Sequence, residues 1–187
     1  MICEAAGPLA VFVSYSTDSG VWLKQELRTS ALEFHLVQRE VFRSAAIIPF
    51  RFPTIVEDKS ELEEHLRTRS EEYSALLDKF ASLVQMEFSV NNANSDSSAS
   101  SGAEYLKRRQ NLISSVEAFS GDIKQGLGPL VEDWRQRETK NGLRLFALVD
   151  RKHVAEFERM IGAAAVPRAF KVRVSGPWPV SEFIELS

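Results

Sequence analysis

The side chains of this chain with the most versatile chemistry are three histidines, one cysteine and a short basic run, and their spacing gives no catalytic signature. His35, His65 and His153 fall in three separate predicted helices, and none has a second histidine at metal-ligand spacing. His65 sits beside Glu63 and Glu64, so a solvated charged face is expected for it rather than a metal site. His35 lies among apolar residues and is expected to be packed and hydrogen-bonded. Cys3 has no evident activating partner. Lys107-Arg108-Arg109 is diluted by Glu104 and nearby acids, which favours a solvated face over a phosphate contact. The chain contains no Gly-x-Ser-x-Gly elbow, Walker loop, Gly-x-Gly-x-x-Gly or Cys-x-x-Cys. No catalytic residue, cofactor or metal is therefore expected.

Aromatic residues next to prolines carry a different chemistry, that of contact. Phe50-Arg51-Phe52 precedes Pro53, and Trp178 lies between Pro177 and Pro179. Aromatics and arginine dominate interface hot spots, and proline lowers the ordering cost of binding by fixing the backbone. Phe50, Arg51, Phe52 and Trp178 are thus the candidate interaction residues. The simpler reading is that the aromatics seal a core where strands end, since burial of a tryptophan needs no partner.

The elements that must position these residues follow from periodicity. Leu9 to Tyr15 reads as a buried strand closed by the turn cluster Ser16 to Gly20. A helix over about 20–43 carries Leu23, Leu27, Ala31, Phe34, Val41 and Phe42 near one face. Ala46 to Phe52 reads as an edge or bent strand, because Pro49 removes a ladder donor. Ser60 and Glu63 form a capping-box pattern for a second helix, which runs through Leu66, Tyr73, Leu77 and Phe80 to Val84. Gln85 to Val90 alternates as a strand, and residues 91–102 form a polar, flexible loop. A third helical region over 103–138 is expected to kink or split at Gly126, Gly128 and Pro129. Leu143 to Val149 is a buried strand, Val154 to Ala164 a short helix, and Phe170 to Val174 a final strand alternating apolar and basic residues. The resulting order, β-α-β-α-β-α-β-α-β, with its proline-bearing and alternating strands, points to the α+β class.

Composition narrows the partners. Of the 187 residues 44% are hydrophobic, with twelve Phe and three Trp, enough for a packed core. The net charge of -3 and the interspersed charges give no electrostatic reason to expect nucleic acid or an anionic membrane as the main partner. No apolar run approaches the roughly 20 residues of a membrane helix. The N-terminus lacks a signal-peptide pattern, and the lone thiol fits a reducing compartment. A soluble cytoplasmic protein is expected.

Five stretches, in order, resemble the gas vesicle protein F/L family. They are Glu33 to Val37 around His35, Ile48-Pro49-Phe50-Arg51-Phe52-Pro53-Thr54, Ser101 to Arg109 with its Gly-x-x-Tyr-Leu pattern, Phe146 to Arg151 with Phe157, and Val174-Ser175-Gly176-Pro177-Trp178-Pro179 through Phe183. The last is the most specific. Pro53 stands where the family usually has Gly, and Val180-Ser181 replaces Pro-Tyr. Family members usually open with a strand before the one at Leu9, and the late start of this chain leaves that strand missing.

The resemblance implies two small α+β domains, here residues 1–84 and 85–187, the second a modified ferredoxin-like arrangement. It also implies an assembly or minor structural role in gas vesicles, without enzymatic activity. The partners would be the small hydrophobic shell protein and other accessory gas vesicle proteins. The residues alone leave open an unrelated α+β small-molecule-binding module or enzyme, and a scaffold that self-associates through a sheet edge or helix face.

Overall fold

The run Leu9–Val13 finds its partner in the residues just before it. Ile2–Ala6 (β1) and Leu9–Val13 (β2) pair antiparallel around Gly7-Pro8, from Ile2 opposite Val13 to Ala6 opposite Leu9. The opening strand expected to be missing is therefore present, and β2 is half-buried rather than buried. Leu9 and Val11 face inward while Ala10 and Phe12 face out, as the period-two pleat of a sheet packed on one side requires.

The computed structural model describes residues 2–14, 24–93, 102–139 and 142–185. Its contacts divide the chain into two units, residues 1–81 and 82–187. In the first unit, Lys24–Ser44 (α1) turns Leu27, Ala31, Phe34, Val37, Gln38, Val41 and Phe42 inward at three- and four-residue intervals. His35, expected to be packed, is instead exposed. Residues 46–52 form no strand: they are irregular, since two nearby prolines donate no backbone hydrogen bond and no neighbouring strand offers a ladder among the described residues.

The predicted helix over 60–84 is two helices, Lys59–Thr68 (α2) and Ser70–Lys79 (α3). The start lies two residues earlier than the Ser60–Glu63 pattern: Asp58 Oδ1 accepts from Glu61 N at 2.8 Å, and the Glu61 carboxylate accepts from Glu57 N. The break falls at Arg69, with φ -107° and ψ 12°, and no capping side chain marks it. Leu66 and Tyr73, one on each helix, are buried with Leu9 in a single cluster, against which Val11, Ile48, Phe50, Leu62 and Leu77 pack.

The second unit is a four-stranded antiparallel sheet. Leu83–Asn92 (β3), Val131–Thr139 (β4), Gly142–Asp150 (β5) and Phe170–Trp178 (β6) lie in the order β4-β5-β3-β6. Leu83 and Val84, assigned by sequence to the first domain, begin the central strand. Asn91 and Asn92, expected in the loop, end it, Gly102 opens a helix, and residues 94–101 of the expected loop lie outside the described residues. Gly102–Leu127 (α4) and Val154–Ala163 (α5) supply Val116, Phe119, Ile123, Leu127, Phe157 and Ile161 to the core. The facing row of the sheet is Val84, Met86, Phe88 and Val90 of β3 with Leu143, Leu145, Ala147 and Val149 of β5.

The predicted third helical region stops at Leu127. A 3-10 turn at Gly128–Leu130 follows, and Val131 onward is strand β4, because Gly128-Pro129 interrupts the helix and β5 offers a full antiparallel ladder.

The opposite face of this sheet is covered at one end by the chain's own C-terminus. Residues 179–185 fold back through bonds from Ser181 N to Pro179 O and from Phe183 N to Val180 O. Glu182 N donates to Gln85 Oε1 at 2.9 Å, Arg137 Nη2 to Glu182 Oε2 at 2.7 Å, and Arg135 Nη2 to Glu185 Oε1 at 3.2 Å. Val180 and Phe183 are buried, and so are Gln85, Phe146 and Leu148, which the register turns to this side.

Two glycines are dictated by geometry. A Cβ on Gly142 would lie 1.9 Å from the carbonyl oxygen of Val90. Gly176 has φ 132°, and a Cβ there would meet Met86 Sδ at 2.8 Å. It occupies an irregularity where β6 spends three steps, Ser175 to Trp178, against two on β3, Glu87 to Gln85.

Three outcomes follow for stability. Gly142→Ala is expected to lower the unfolding free energy by about 2 kcal/mol or more. Gly126→Ala, on α4 with nothing within 4 Å of the added methyl, is expected to raise it by about 0.5–1 kcal/mol. Urea unfolding compares the two, and equal effects would contradict the close approach at Gly142. Gln85→Leu removes the acceptor for Glu182 N while keeping the bulk. It is expected to cost about 1–3 kcal/mol and to speed amide exchange at Glu182 and Phe183. Unchanged exchange would mean that apolar burial alone holds the segment.

Candidate functional site

Each unit presents one surface with distinct chemistry. In the first unit, β2, α1, the irregular segment and the α2–α3 pair leave an apolar cleft of about 290 Å³ between them. Leu9 and Val11 form one wall, Phe34, Val37 and Val41 of α1 another, and Ile47, Ile48, Pro49 and Phe50 a third, closed by Leu66, Tyr73 and Leu77. Its polar side chains are Gln38 and Tyr73. The Tyr73 hydroxyl is engaged with His65 Nε2 at 2.8 Å, and burial raises its pKa above the ordinary phenol range, with Arg69 opposing. A cleft of this lining can desolvate an apolar segment; it offers little for acid–base work.

Of the candidate interaction residues, Phe50 lines this cleft and meets the Tyr73 and His65 rings edge-on, with centroids 6.1 Å and 6.3 Å away. Phe52 is half-buried against Phe34, centroids 5.4 Å apart. Arg51, between them, is exposed. His65 belongs to this aromatic group as well as to the charged helix face on which the sequence placed it. Residues that sequence reasoning did not select, such as Val37, Gln38 and Ile47, complete the lining; the spacing of Phe34, Val37 and Val41 on one helix was the available signal.

Trp178 belongs to the second unit. Its register partner is Gln85, on the sheet face away from α4 and α5, and its Nε1 donates to Ser175 Oγ at 3.3 Å. It is half-buried, between the core-sealing and contact roles open to it. The same face continues from there into a shallow polar concavity lined by Glu87, Ser89, Asn91, Arg144, Lys171 and Arg173, among others. Register explains the cations: Arg137, Arg144, Ser89 and Arg173 form one row across the four strands, and Thr139, Gly142, Asn91 and Lys171 the row beside it. The alternating Lys171 and Arg173 were visible in the sequence; Arg144, between apolar neighbours, gave no such sign.

Among the described residues, no group of three or more His, Cys, Asp or Glu side chains could hold a metal ion. Cys3 is exposed on β1, and His153 lies in the 3-10 turn Arg151–His153 before α5. Asp150 opens that turn: it accepts from Lys152 N, and this hydrogen bond lowers its pKa, with Lys152 and His153 adding to the effect. Lys107 is exposed on α4. No helix among the described residues is long and apolar enough to cross a membrane.

The fold of the chain is similar to that of two crystal structures of gas vesicle protein GvpF. For the protein from Microcystis aeruginosa the TM-score is 0.74 at 10% sequence identity, covering 98% of this chain and 88% of that one. For the protein from Anabaena sp. PCC7120 the TM-score is 0.71 at 14% identity, covering 89% and 78%. At such identities the likeness is one of fold. No curated protein matches the sequence. Residues 4–185 match the family described as gas vesicle synthesis protein GvpL/GvpF. That match spans nearly the whole chain, both units included, and the chain belongs to the gas vesicle synthesis protein GvpL/GvpF family.

Proposed function

We propose that the chain acts as an assembly factor or minor structural protein of gas vesicles, through protein–protein contact rather than catalysis. The observation that carries this reading is the apolar cleft of the first unit. It is lined almost wholly by hydrocarbon and aromatic side chains, with Phe50 in its wall and the exposed Arg51 next in the chain. An occupant must bring its own apolar surface, as an apolar segment of the small hydrophobic shell protein or of another accessory protein would. Burial of one large apolar side chain there contributes about 1.5–3 kcal/mol, to be set against the cost of association, so several anchors are needed for a specific contact. Phe50, Arg51 and Phe52 are its contact residues in this reading, and Trp178 a second contact point on the other unit. The site of action is the cytoplasm and the vesicle. On the same footing, the second unit is read as the modified ferredoxin-like domain that the resemblance implies, supported by its β-α-β-β-α-β chain order and its outer-to-outer strand arrangement.

Capture of the shell protein by the tagged full chain from an extract of vesicle-forming cells tests this. Wild type is expected to retain the shell protein, while Val41→Asp, which sets a charge in the cleft, and the milder Val37→Gln reduce capture by about tenfold or more. Circular dichroism confirms the fold of each variant. Deletion of the gene is expected to impair vesicle formation, with wild type but neither variant restoring it. No capture by wild type together with normal vesicles after deletion would overturn the proposal.

A further inference from the structure

The cations of the second unit do not depend on the cleft, and the reading above uses only Trp178 from their sheet face. We infer that strand β6 is a docking edge for an extended acidic segment of a partner protein, laid beside it with carboxylates against Lys171 and Arg173. Two observations meet there, and a third comes from the opposite edge of the same sheet. First, β6 is an outer strand: β3 pairs with one side, and no strand pairs with the other among the described residues. An extended peptide can therefore add to it through main-chain hydrogen bonds.

Second, Lys171 and Arg173 are exposed on the same side of the sheet, one pleat repeat apart. Unlike Arg135, Arg137 and Arg144, which are tied to Glu185, Glu182 and Glu87, they make no ion pair among the described residues. Acidic side chains two residues apart on an added strand repeat at about 6.8 Å, the spacing of this cation pair.

Third, the chain already shows this chemistry on itself. Its C-terminal segment lies on the same sheet face, with Glu182 on Arg137 and Glu185 on Arg135 of β4, the outer strand opposite β6.

Charge also selects among polyanions. Glu87 lies within the concavity, Glu182 and Glu185 lie at one end of the face, and the whole chain carries -3. A continuous phosphate backbone or an anionic bilayer would meet these acids, whereas a peptide places its few carboxylates where the cations are. Exposed pairs of this kind are individually weak and screened by salt, so the contact is salt-sensitive and its specificity comes from register.

Fluorescence anisotropy on the full-length protein tests the inference with labelled peptides of about ten residues that alternate Thr with Glu or Thr with Gln. The Glu peptide is expected to bind, and the Gln peptide to bind about tenfold more weakly or worse. Raising the salt from about 0.05 to 0.3 M should weaken the Glu peptide about tenfold. Lys171→Glu with Arg173→Glu should abolish its binding, and the neutral pair Lys171→Gln with Arg173→Gln should weaken it while circular dichroism stays unchanged. Equal binding of the two peptides, or no effect of either double variant, overturns the inference. So does equally tight binding of a single-stranded oligonucleotide or of anionic phospholipid vesicles, which would mark a general polyanion surface.

Discussion

The antiparallel pairing of β3 with β5 is the constraint from which the second unit is built. It runs unbroken from Leu83 opposite Asp150 to Asn91 opposite Gly142, and both strands are interior to the sheet. One side of the pair carries the apolar row that α4 and α5 cover; the other carries Gln85, Phe146 and Leu148 under the returning C-terminus. A strand covered on both faces must read as a continuous hydrophobic run, and Leu143 to Val149 does so apart from Arg144. Every other element of the unit, β4, β6, both helices and the C-terminal segment, takes its position from this pair.

That constraint also explains what the sequence could and could not show. The continuous run of β5, the alternation of β6 and the three-four spacing of α1 are local signals, and the structure has all three elements. β4 was hidden because Val131, Trp134 and the residues between them fit a helical period as well as a strand. The decisive fact was nonlocal: β5 supplies a complete ladder. The Asn141-Gly142 dipeptide, a hairpin signal, was the local hint that favoured a strand. The opposite error occurred at 46–52, where apolar and aromatic residues looked like a strand but no partner was available to pair with the backbone. The break between α2 and α3 left no trace in residue type. Phe50 stood out in the sequence by its aromatic, proline-flanked setting, and it lies in the wall of the cleft. The cleft itself was not legible, since four separate chain segments build it and none carries the pattern alone.

The relationship to the two GvpF structures shows how much of such a fold is encoded in pattern rather than identity. Fold likeness at TM-scores of 0.74 and 0.71 accompanies 10% and 14% identity. Volume-conserving exchange of apolar residues leaves strand alternation and helix faces intact. Positions such as Gly142 tolerate no exchange of this kind, because backbone approaches backbone there.

The irregularity at Gly176 acts as a phase shift in the last strand. Strict alternation from Ser175, which faces away from the helices, would return Trp178 to the helical side. The additional step opposite β3 instead matches Trp178 with Gln85, so everything after it emerges on the far side of the sheet. A single inserted position, one that only glycine accommodates, thus decides which surface of the sheet the chain's end closes and which it leaves open. Deleting one residue there would be a steering error rather than a shortening, sending the last residues toward a face that α4 and α5 already occupy.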